Sequence, residues 1–372
     1  MRHHRTIIFH PALAPYRVDF FNSLSEAFDS EVYFEFHNPL EQSFDQQALQ
    51  ARLQFTPHFL RPGFMGIKNL RLEVLSILWR KRPEVVFISE YNLLGLLVCI
   101  FKILFHQRLR IITICDDNLR MAQRAGIVKR LTRYCMLHLL EGVILADKQA
   151  YHWYRQALPF KARYVYFPII QSDEAFRARL TQALPLAKEI ASSLDYIGKK
   201  VILYVGRLAE VKQVSLLISA FQQIMSRYPE ARLLIVGDGP LRQKLEQQAK
   251  AEKEAGKVCF AGKQEGMRLL AYYNIAQLFV LPSYYEPFGT VVNEALLAGC
   301  YTLCTKVAGA TCLITPGQNG ELFDPSSAEQ LAPLLSEALS QMPPLAHISL
   351  KNNLMSIHYE KQLRGLLNAL KR

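Results

Sequence analysis

Short apolar runs alternate along the whole chain with longer segments in which apolar residues recur every three or four positions. The runs at 6–10, 32–36, 85–88, 111–115, 142–145 and 164–167 predict strands in the first half. Val18, Phe20, Phe21, Leu24 and Phe28 mark a helix after the first of them. The second half repeats this with strands predicted at 201–205, 232–236, 258–261, 278–281 and 302–305, and helices at 214–228 and 241–253. These strands are apolar on both faces rather than alternating, the pattern of parallel sheets covered on each side by crossover helices. The expected class is α/β, with two Rossmann-like, doubly wound parallel-sheet domains. The polar stretch Asp195-Tyr-Ile-Gly-Lys-Lys200 places the hinge near 190–200. The expected division is 1–195, 196–350 and a closing helical segment, 351–372, that packs back on the first domain. Open sheets of this kind bind ligands beyond the carboxyl ends of their strands, so a cleft between the domains is the expected site.

Composition narrows the picture. With 372 residues, half of them apolar and 20% charged, the chain has the material for two cores and the balance of a folded soluble protein. Its first residues carry no apolar leader and read as a first strand. The longest apolar run, 93–105, is interrupted by Lys102 and is too short to span a bilayer. It is expected as a buried helix, the alternative being a surface helix that touches lipid. Seven cysteines, an odd number without a C-x-x-C pair, point to reduced thiols and a cytoplasmic location. No metal site is expected, since Cys300 and Cys304 have no histidine partners nearby in sequence.

Charge is uneven. Residues 1–200 hold 27 Lys and Arg against 18 Asp and Glu, and residues 51–135 hold 15 against 5. This is either a solvated basic face or a patch facing anionic lipid head groups or a phosphate-bearing acceptor. Nucleic acid is not expected, because no finger spacing, RNA-binding aromatic signature or helix-turn-helix pattern accompanies the charge. Arg120, Arg124, Lys129, Arg130 and Arg133 recur at helical spacing among Ile127, Val128, Leu131 and Met136, an amphipathic basic helix consistent with a membrane surface.

Three stretches of the second half lie where a strand gives way to a helix. In Val205-Gly206-Arg207-Leu-Ala-Glu-Val-Lys212, the glycine permits a tight exit and two cations rise from one loop. They are either surface charges or a grip on a diphosphate leaving group, whose charge grows as its bond breaks. Val236-Gly237-Asp-Gly239-Pro240 is a fragment of a dinucleotide fingerprint and carries an NAD-linked reading only weakly. In Pro282-Ser-Tyr-Tyr-Glu286-Pro-Phe288-Gly289-Thr290-Val291-Val-Asn-Glu294, one carboxylate precedes a tight turn and another lies about a turn into the following helix. A helix start attracts phosphate, and a carboxylate can take two vicinal hydroxyls. The plainer role for Glu294 is as a partner of the helix dipole.

The pattern E-P-F-G-x-x-x-x-E-A, preceded by G-R-L-x-x-x-K, resembles the family 4 retaining glycosyltransferases of GT-B fold. Gly237-Asp-Gly-Pro240, Phe260-Ala-Gly262, Pro282-Ser283 and Gly317-Gln-Asn-Gly320-Glu-Leu-Phe match that family in order, with the likeness strong over 200–325 and looser elsewhere. The resemblance implies a retaining transfer from a UDP-, GDP- or ADP-sugar to a glycan or lipid-linked acceptor in bacterial cell-surface polysaccharide synthesis, without metal or other cofactor. It assigns Arg207, Lys212 and Glu286 to catalysis. It gives Gly206, Gly237, Gly262, Lys263, Phe288, Gly289, Thr290, Val291 and Glu294 to the donor. Lys212 and Arg207 would hold the diphosphate, Glu294 the ribose and Glu286 the donor sugar, with the Gly262-Lys263 backbone at the base. His10, Tyr16, Arg17 and Asp116 are candidates for the acceptor side.

Two departures from the family pattern stand out. The loop after the first strand reads His10-Pro-Ala-Leu-Ala-Pro-Tyr-Arg17 where many members have a glycine pair. Cys115, followed by Asp116 and Asp117, stands where many have a histidine that touches the donor sugar. Asp116 is the candidate replacement; helix capping is the plainer role for Asp116 or Asp117. The alternative function is a catalytically silent nucleotide-sugar-binding or scaffold protein of the same fold.

Overall fold

The computed structural model describes residues 6–38, 43–64, 67, 70–250 and 256–371. It divides into two compact units, one of Met1–Gln171 with Tyr359–Arg372 and the other of Ser172–His358.

The first unit runs β1 (Thr6–His10), α1 (Val18–Phe28), β2 (Ser30–Phe34), α2 (Gln46–Gln50), β3 (His58–Phe59), α3 (Glu73–Lys81) and β4 (Val85–Ser89). It continues with α4 (Leu93–Phe105), β5 (Arg110–Cys115), α5 (Leu119–Gln123), α6 (Ile127–Leu137), β6 (Gly142–Leu145), α7 (Lys148–Ala157) and β7 (Arg163–Tyr166). The second unit opens with α8 (Asp173–Gln182) and α9 (Leu184–Ser193), followed by β8 (Lys200–Val205), α10 (Val214–Ile224), β9 (Ala231–Val236) and α11 (Arg242–Lys250). Then come β10 (Val258–Gly262), α12 (Gly266–Ile275), β11 (Leu278–Leu281), α13 (Thr290–Leu297), β12 (Tyr301–Thr305), β13 (Gly320–Phe323) and α14 (Ala328–Gln341). The last helix, α15 (Tyr359–Lys371), belongs to the first unit.

Each sheet is parallel throughout, in the orders β3-β2-β1-β4-β5-β6-β7 and β10-β9-β8-β11-β12-β13. This is why the central strands carry no polar alternation: β1, β4, β6, β8 and β11 are buried at every position, with helices over both faces. The order reverses between β1 and β4 in one sheet and between β8 and β11 in the other. Crossovers diverge at such a point and leave a crevice beyond the strand ends. The loops after β8 and β11 therefore emerge side by side, as do those after β1 and β4. Because crossovers are right-handed, α3, α4, α6 and α7 lie on one face of the first sheet and α1 on the other.

Several elements differ from expectation. The division falls between Gln171 and Ser172, ahead of the polar stretch at 195–200. The reason is packing: α8 and α9 lie against α12, and the Asn274 amide donates to the Leu180 carbonyl at 2.8 Å. At the other end the closing helix packs back on the first unit as expected, although from Tyr359 rather than 351; the Tyr359 ring meets Phe167 at 5.8 Å and its hydroxyl lies 2.9 Å from Ser23 Oγ. The apolar helix at 93–105 is present, but only its inner side, with Leu94, Val98, Cys99 and Phe101, is buried. The basic segment expected as one helix is two, α5 and α6, with Gly126 between them. Helix α11 is described to Lys250, and the rest of its expected span lies outside the described residues. Among the described residues no helix is long and apolar enough to cross a membrane.

Candidate functional site

In the second unit, the loops after β8 and β9 interlock through backbone. Gly206 N donates to the Val236 carbonyl at 3.0 Å, Leu208 N to the Asp238 carbonyl at 2.9 Å, and Leu241 N to the Leu208 carbonyl at 3.1 Å. Gly237 makes this approach possible. Its φ is +151°, and a Cβ there would lie 1.8 Å from the Gly206 carbonyl oxygen, a separation no side chain tolerates. Gly237 N in turn donates to the Gly262 carbonyl at the end of β10, at 2.8 Å. Gly206, Gly237 and Gly262 thus form one backbone layer at the strand ends. Lys263, just beyond, is more than half exposed and pairs with Glu265 at 2.7 Å.

The loop after β11 is tied to the loop after β8. Tyr284 N donates to the Val211 carbonyl at 3.0 Å, and Lys212, on the 3-10 turn Glu210–Lys212, forms a charge-assisted hydrogen bond with the Glu286 carboxylate. The Ser283 hydroxyl also reaches that carboxylate, at 3.4 Å. Beneath them the Tyr204 hydroxyl donates to the Arg207 carbonyl at 3.1 Å. Burial pushes the Tyr204 hydroxyl pKa up, the Glu286 carboxylate pushes it further, and the Arg207 guanidinium acts against both. Arg207, Lys212 and Glu286 are therefore gathered round one tyrosine, although 79 residues separate the first from the last.

Gly289, at φ +94°, turns the chain into α13, and no side chain caps that helix start. A Cβ on Gly289 would lie 3.2 Å from Glu286 Cγ and 2.9 Å from Leu281 Cδ2, so the glycine lets the carboxylate sit against the helix mouth. Phe288 is buried, and its carbonyl is held by Ala310 N at 2.7 Å. Thr290 and Val291 are half-buried in the first turn. Glu294 lies one turn deeper, buried, and accepts a 2.9 Å bond from the Tyr273 hydroxyl. Burial and that carboxylate together hold Tyr273 protonated. Glu294 is thus anchored by a second element, which the plainer dipole role does not require. Sequence reasoning missed Tyr204 and Tyr273; both sit inside apolar runs, and only the fold shows which hydroxyl meets which carboxylate.

The first unit has its own cavity, of about 620 Å³, beyond β1, β4 and β5. His10, Glu90, Asp116 and Lys129 are among its lining residues. His10 is buried, with Nδ1 3.1 Å from the Ala12 carbonyl, and burial lowers its pKa to about 4, with Arg17 acting in the same direction. Arg17 is buried and paired with Asp116, so these two acceptor-side candidates hold each other. Tyr16 belongs to the same 3-10 turn, Pro15–Arg17. Lys129 bridges Glu90 at 2.9 Å and the buried Asp117 at 2.8 Å. Glu90 adopts φ +56°, uncommon for a residue with a side chain, and nothing in the sequence marks it. The capping role considered for Asp116 and Asp117 belongs instead to Asn118, whose Oδ1 accepts from Met121 N at 2.9 Å. Cys115 is wholly buried, 3.7 Å from the Tyr154 hydroxyl, and burial raises its thiol pKa far above the usual range. Arg133 also turns inward, its guanidinium donating to the Ala122 carbonyl at 2.9 Å, so it is not part of a basic surface stripe.

Comparison with known proteins adds an independent line. Residues 187–353 match the family model described as glycosyl transferases group 1. The chain is 31% identical over 138 residues to a 2-deoxystreptamine N-acetyl-D-glucosaminyltransferase of Niallia circulans, covering 37% of this chain and 36% of that one. It is 34% identical over 149 residues to a lipopolysaccharide 1,2-N-acetylglucosaminetransferase of Salmonella typhimurium, covering 38% and 39%. These matches thus span well under half the length of the curated relatives. The crystal structure of Anabaena Alr3699/HepE in complex with UDP and glucose superposes with a TM-score of 0.74 over 99% of this chain and 100% of that one, at 16% identity. That likeness establishes the fold, two Rossmann-like units of GT-B type.

Proposed function

Taking residues 187–353 as a member of the glycosyl transferases group 1, we propose that the protein is a retaining glycosyltransferase. It moves a hexose-type sugar from a nucleoside diphosphate sugar to a glycan or glycolipid acceptor, in the cytoplasm, for bacterial cell-surface polysaccharide. One observation carries the reading: Lys212 and Glu286, from loops 74 residues apart in sequence, meet against the helix mouth opened by Gly289. A cation, a carboxylate and a helix N-terminus at one spot suit a glycosyl diphosphate, whose two ends are an anion and a polyol.

In this reading Lys212 and Arg207, with the backbone N–H groups of Thr290 and Val291, bind the diphosphate. They stabilise the negative charge it gains as the bond from the sugar C1 to its oxygen breaks. The acceptor hydroxyl forms the new C1–O bond on the same face, and its proton passes to the departing phosphate oxygen. Glu286 takes hydroxyls of the donor sugar, and Glu294, steadied by Tyr273, takes the ribose hydroxyls. The Gly262-Lys263 backbone meets the base. These groups meet the leaving group's charge themselves, so the reading assigns no metal or other cofactor. The buried Cys115 thiol has no part in donor contact.

The test is a panel of UDP-, GDP- and ADP-sugars read by thermal shift and by release of nucleoside diphosphate. One sugar nucleotide should raise the melting temperature and be consumed. Binding without turnover, even with glycan acceptors supplied, would move the assignment to a silent nucleotide-sugar-binding protein. Stabilisation by NAD alone would overturn both.

A further inference from the structure

The outer side of the helices on one face of the first sheet is apolar where a surface helix is ordinarily polar. In α6 the inward positions are taken by Arg133, Met136 and Leu137, while Ile127, Val128 and Leu131 face outward. In α4 the last turn does the same with Leu104 and Phe105. Exposure across this set runs from 60% at Phe105 to 78% at Val128. Trp79 of α3, also exposed, stands edge-on to the Phe105 ring at 5.5 Å between centroids, and α4 packs between α3 and α6. The exposed positions of three helices therefore make one surface, larger than the scattered apolar residues usual on a soluble protein.

Its charge is one-sided. From residue 93 to residue 140 the only carboxylates are Asp116 and Asp117, and these are committed to Arg17 and Lys129. Arg80, Arg120, Arg124 and Arg130 are exposed on α3, α5 and α6 and the turn between the last two. Bulky apolar side chains with an indole among them, and exposed arginines that outnumber the acids of the adjoining loops, Glu84 and the Arg110-paired Glu141, complement the head-group level of an anionic membrane. A protein partner would more often present both signs of charge to a rim of this kind.

We propose that the outer face of α3, α4 and α6 seats the first unit on an anionic lipid bilayer, with apolar side chains at the acyl boundary and arginines among the head groups. Val128 and Leu93 are exposed and also line the cavity of the first unit, so the seated face brings that cavity to the level of the head groups. Docking does not rest on the catalytic reading above.

The experiment is flotation of the full chain with vesicles of phosphatidylcholine alone and of phosphatidylcholine with phosphatidylglycerol. The protein should float with the anionic vesicles, remain with neutral ones in solution, and be released in part by salt. The double variant Ile127→Ser with Leu131→Ser should partition at least about tenfold less, from the apolar area it withdraws, with an unchanged melting curve. Arg124→Gln with Arg130→Gln should weaken binding to anionic vesicles alone. Lys212→Ala should float as the unaltered chain does, so a failure of docking and a failure of the glycosyltransferase reading are told apart. Equal partition of the unaltered chain and the Ile127/Leu131 variant would overturn the proposal. A dimer in solution that the same variant dissociates would also overturn it, since a second copy would then cover the face.

Discussion

Lys212, on the loop after β8, and Glu286, on the loop after β11, are bonded to each other. The pair keeps a cation aimed at the mouth of α13 and shields the carboxylate that would otherwise repel an incoming phosphate. A diphosphate arriving there competes with Glu286 for the same ammonium. The pair is partly solvated, which makes that exchange feasible where a fully buried pair would resist it.

Replacing Lys212 by alanine should therefore lower kcat/KM by roughly 10²–10³-fold, the usual loss when one fixed donor to a developing anion is removed. The fold should persist, as read by circular dichroism. Glu286→Gln should behave differently: with its carboxylate neutral, Lys212 is released and nucleoside diphosphate should bind more tightly, while turnover falls. Calorimetric titration of the diphosphate against both variants checks this, and equal affinities would contradict the competition.

Glu294 has a structural duty as well as a proposed ligand duty. Glu294→Ala leaves the buried Tyr273 hydroxyl without its acceptor and should cost about 1–3 kcal/mol of stability. Glu294→Gln keeps an acceptor for Tyr273 and should be nearly as stable as the unaltered protein, yet still bind donor at least tenfold more weakly. Urea melts alongside donor titrations separate the two duties.

Gly237→Ala should be among the most damaging single methyl additions in the chain. The added carbon would meet the Gly206 carbonyl at 1.8 Å, so two loops must separate, at a cost of about 3 kcal/mol or more. Gly317→Ala is the control. Its φ is +75° with open space around the added carbon, and it should cost only about 1–2 kcal/mol of backbone strain. Denaturation midpoints of the two variants should differ accordingly.

His10 gives the first unit an acid sensitivity. Its folded-state pKa is lowered from 6.5 to about 4, chiefly by burial, so the unfolded chain binds the proton more readily. The stability contributed by neutral His10 is complete above pH 6.5 and is lost as pH falls towards 4. Among charged groups near it, Arg17 reinforces the depression and Asp116 opposes it. His10→Gln should flatten the fall in melting temperature over that window, and an unchanged slope would show that His10 does not titrate there.

Much of the architecture was legible because parallel strands buried on both faces announce themselves as unbroken apolar runs. Every strand core predicted from the sequence is present, with ends displaced by at most two residues. The two-residue β3 was missed because nothing so short has a period. The donor-side motifs were legible for a related reason: glycines and prolines at strand ends mark backbone that must turn tightly. The partners of those motifs were not. Tyr273 reaches Glu294 only because α12 and α13 pack together, and Tyr204 comes under the influence of Glu286 only because the loop after β11 returns to the loop after β8; no local pattern encodes either. For α6, spacing locates an apolar stripe but does not say which way it faces; Ile127, Val128 and Leu131 face outward while Met136 is buried. Arg133 was counted as a surface cation and proved to be buried under Trp153 and Tyr154.

The first unit is assembled from two distant parts of the chain, with α15 covering Phe167 and its last carbonyls accepting hydrogen bonds from Arg110 and Arg163. During synthesis the ribosome delivers all of residues 172–358 before that helix exists. The second unit can thus finish folding first, while the earlier-made sheet waits with one flank bare for the final turns to arrive.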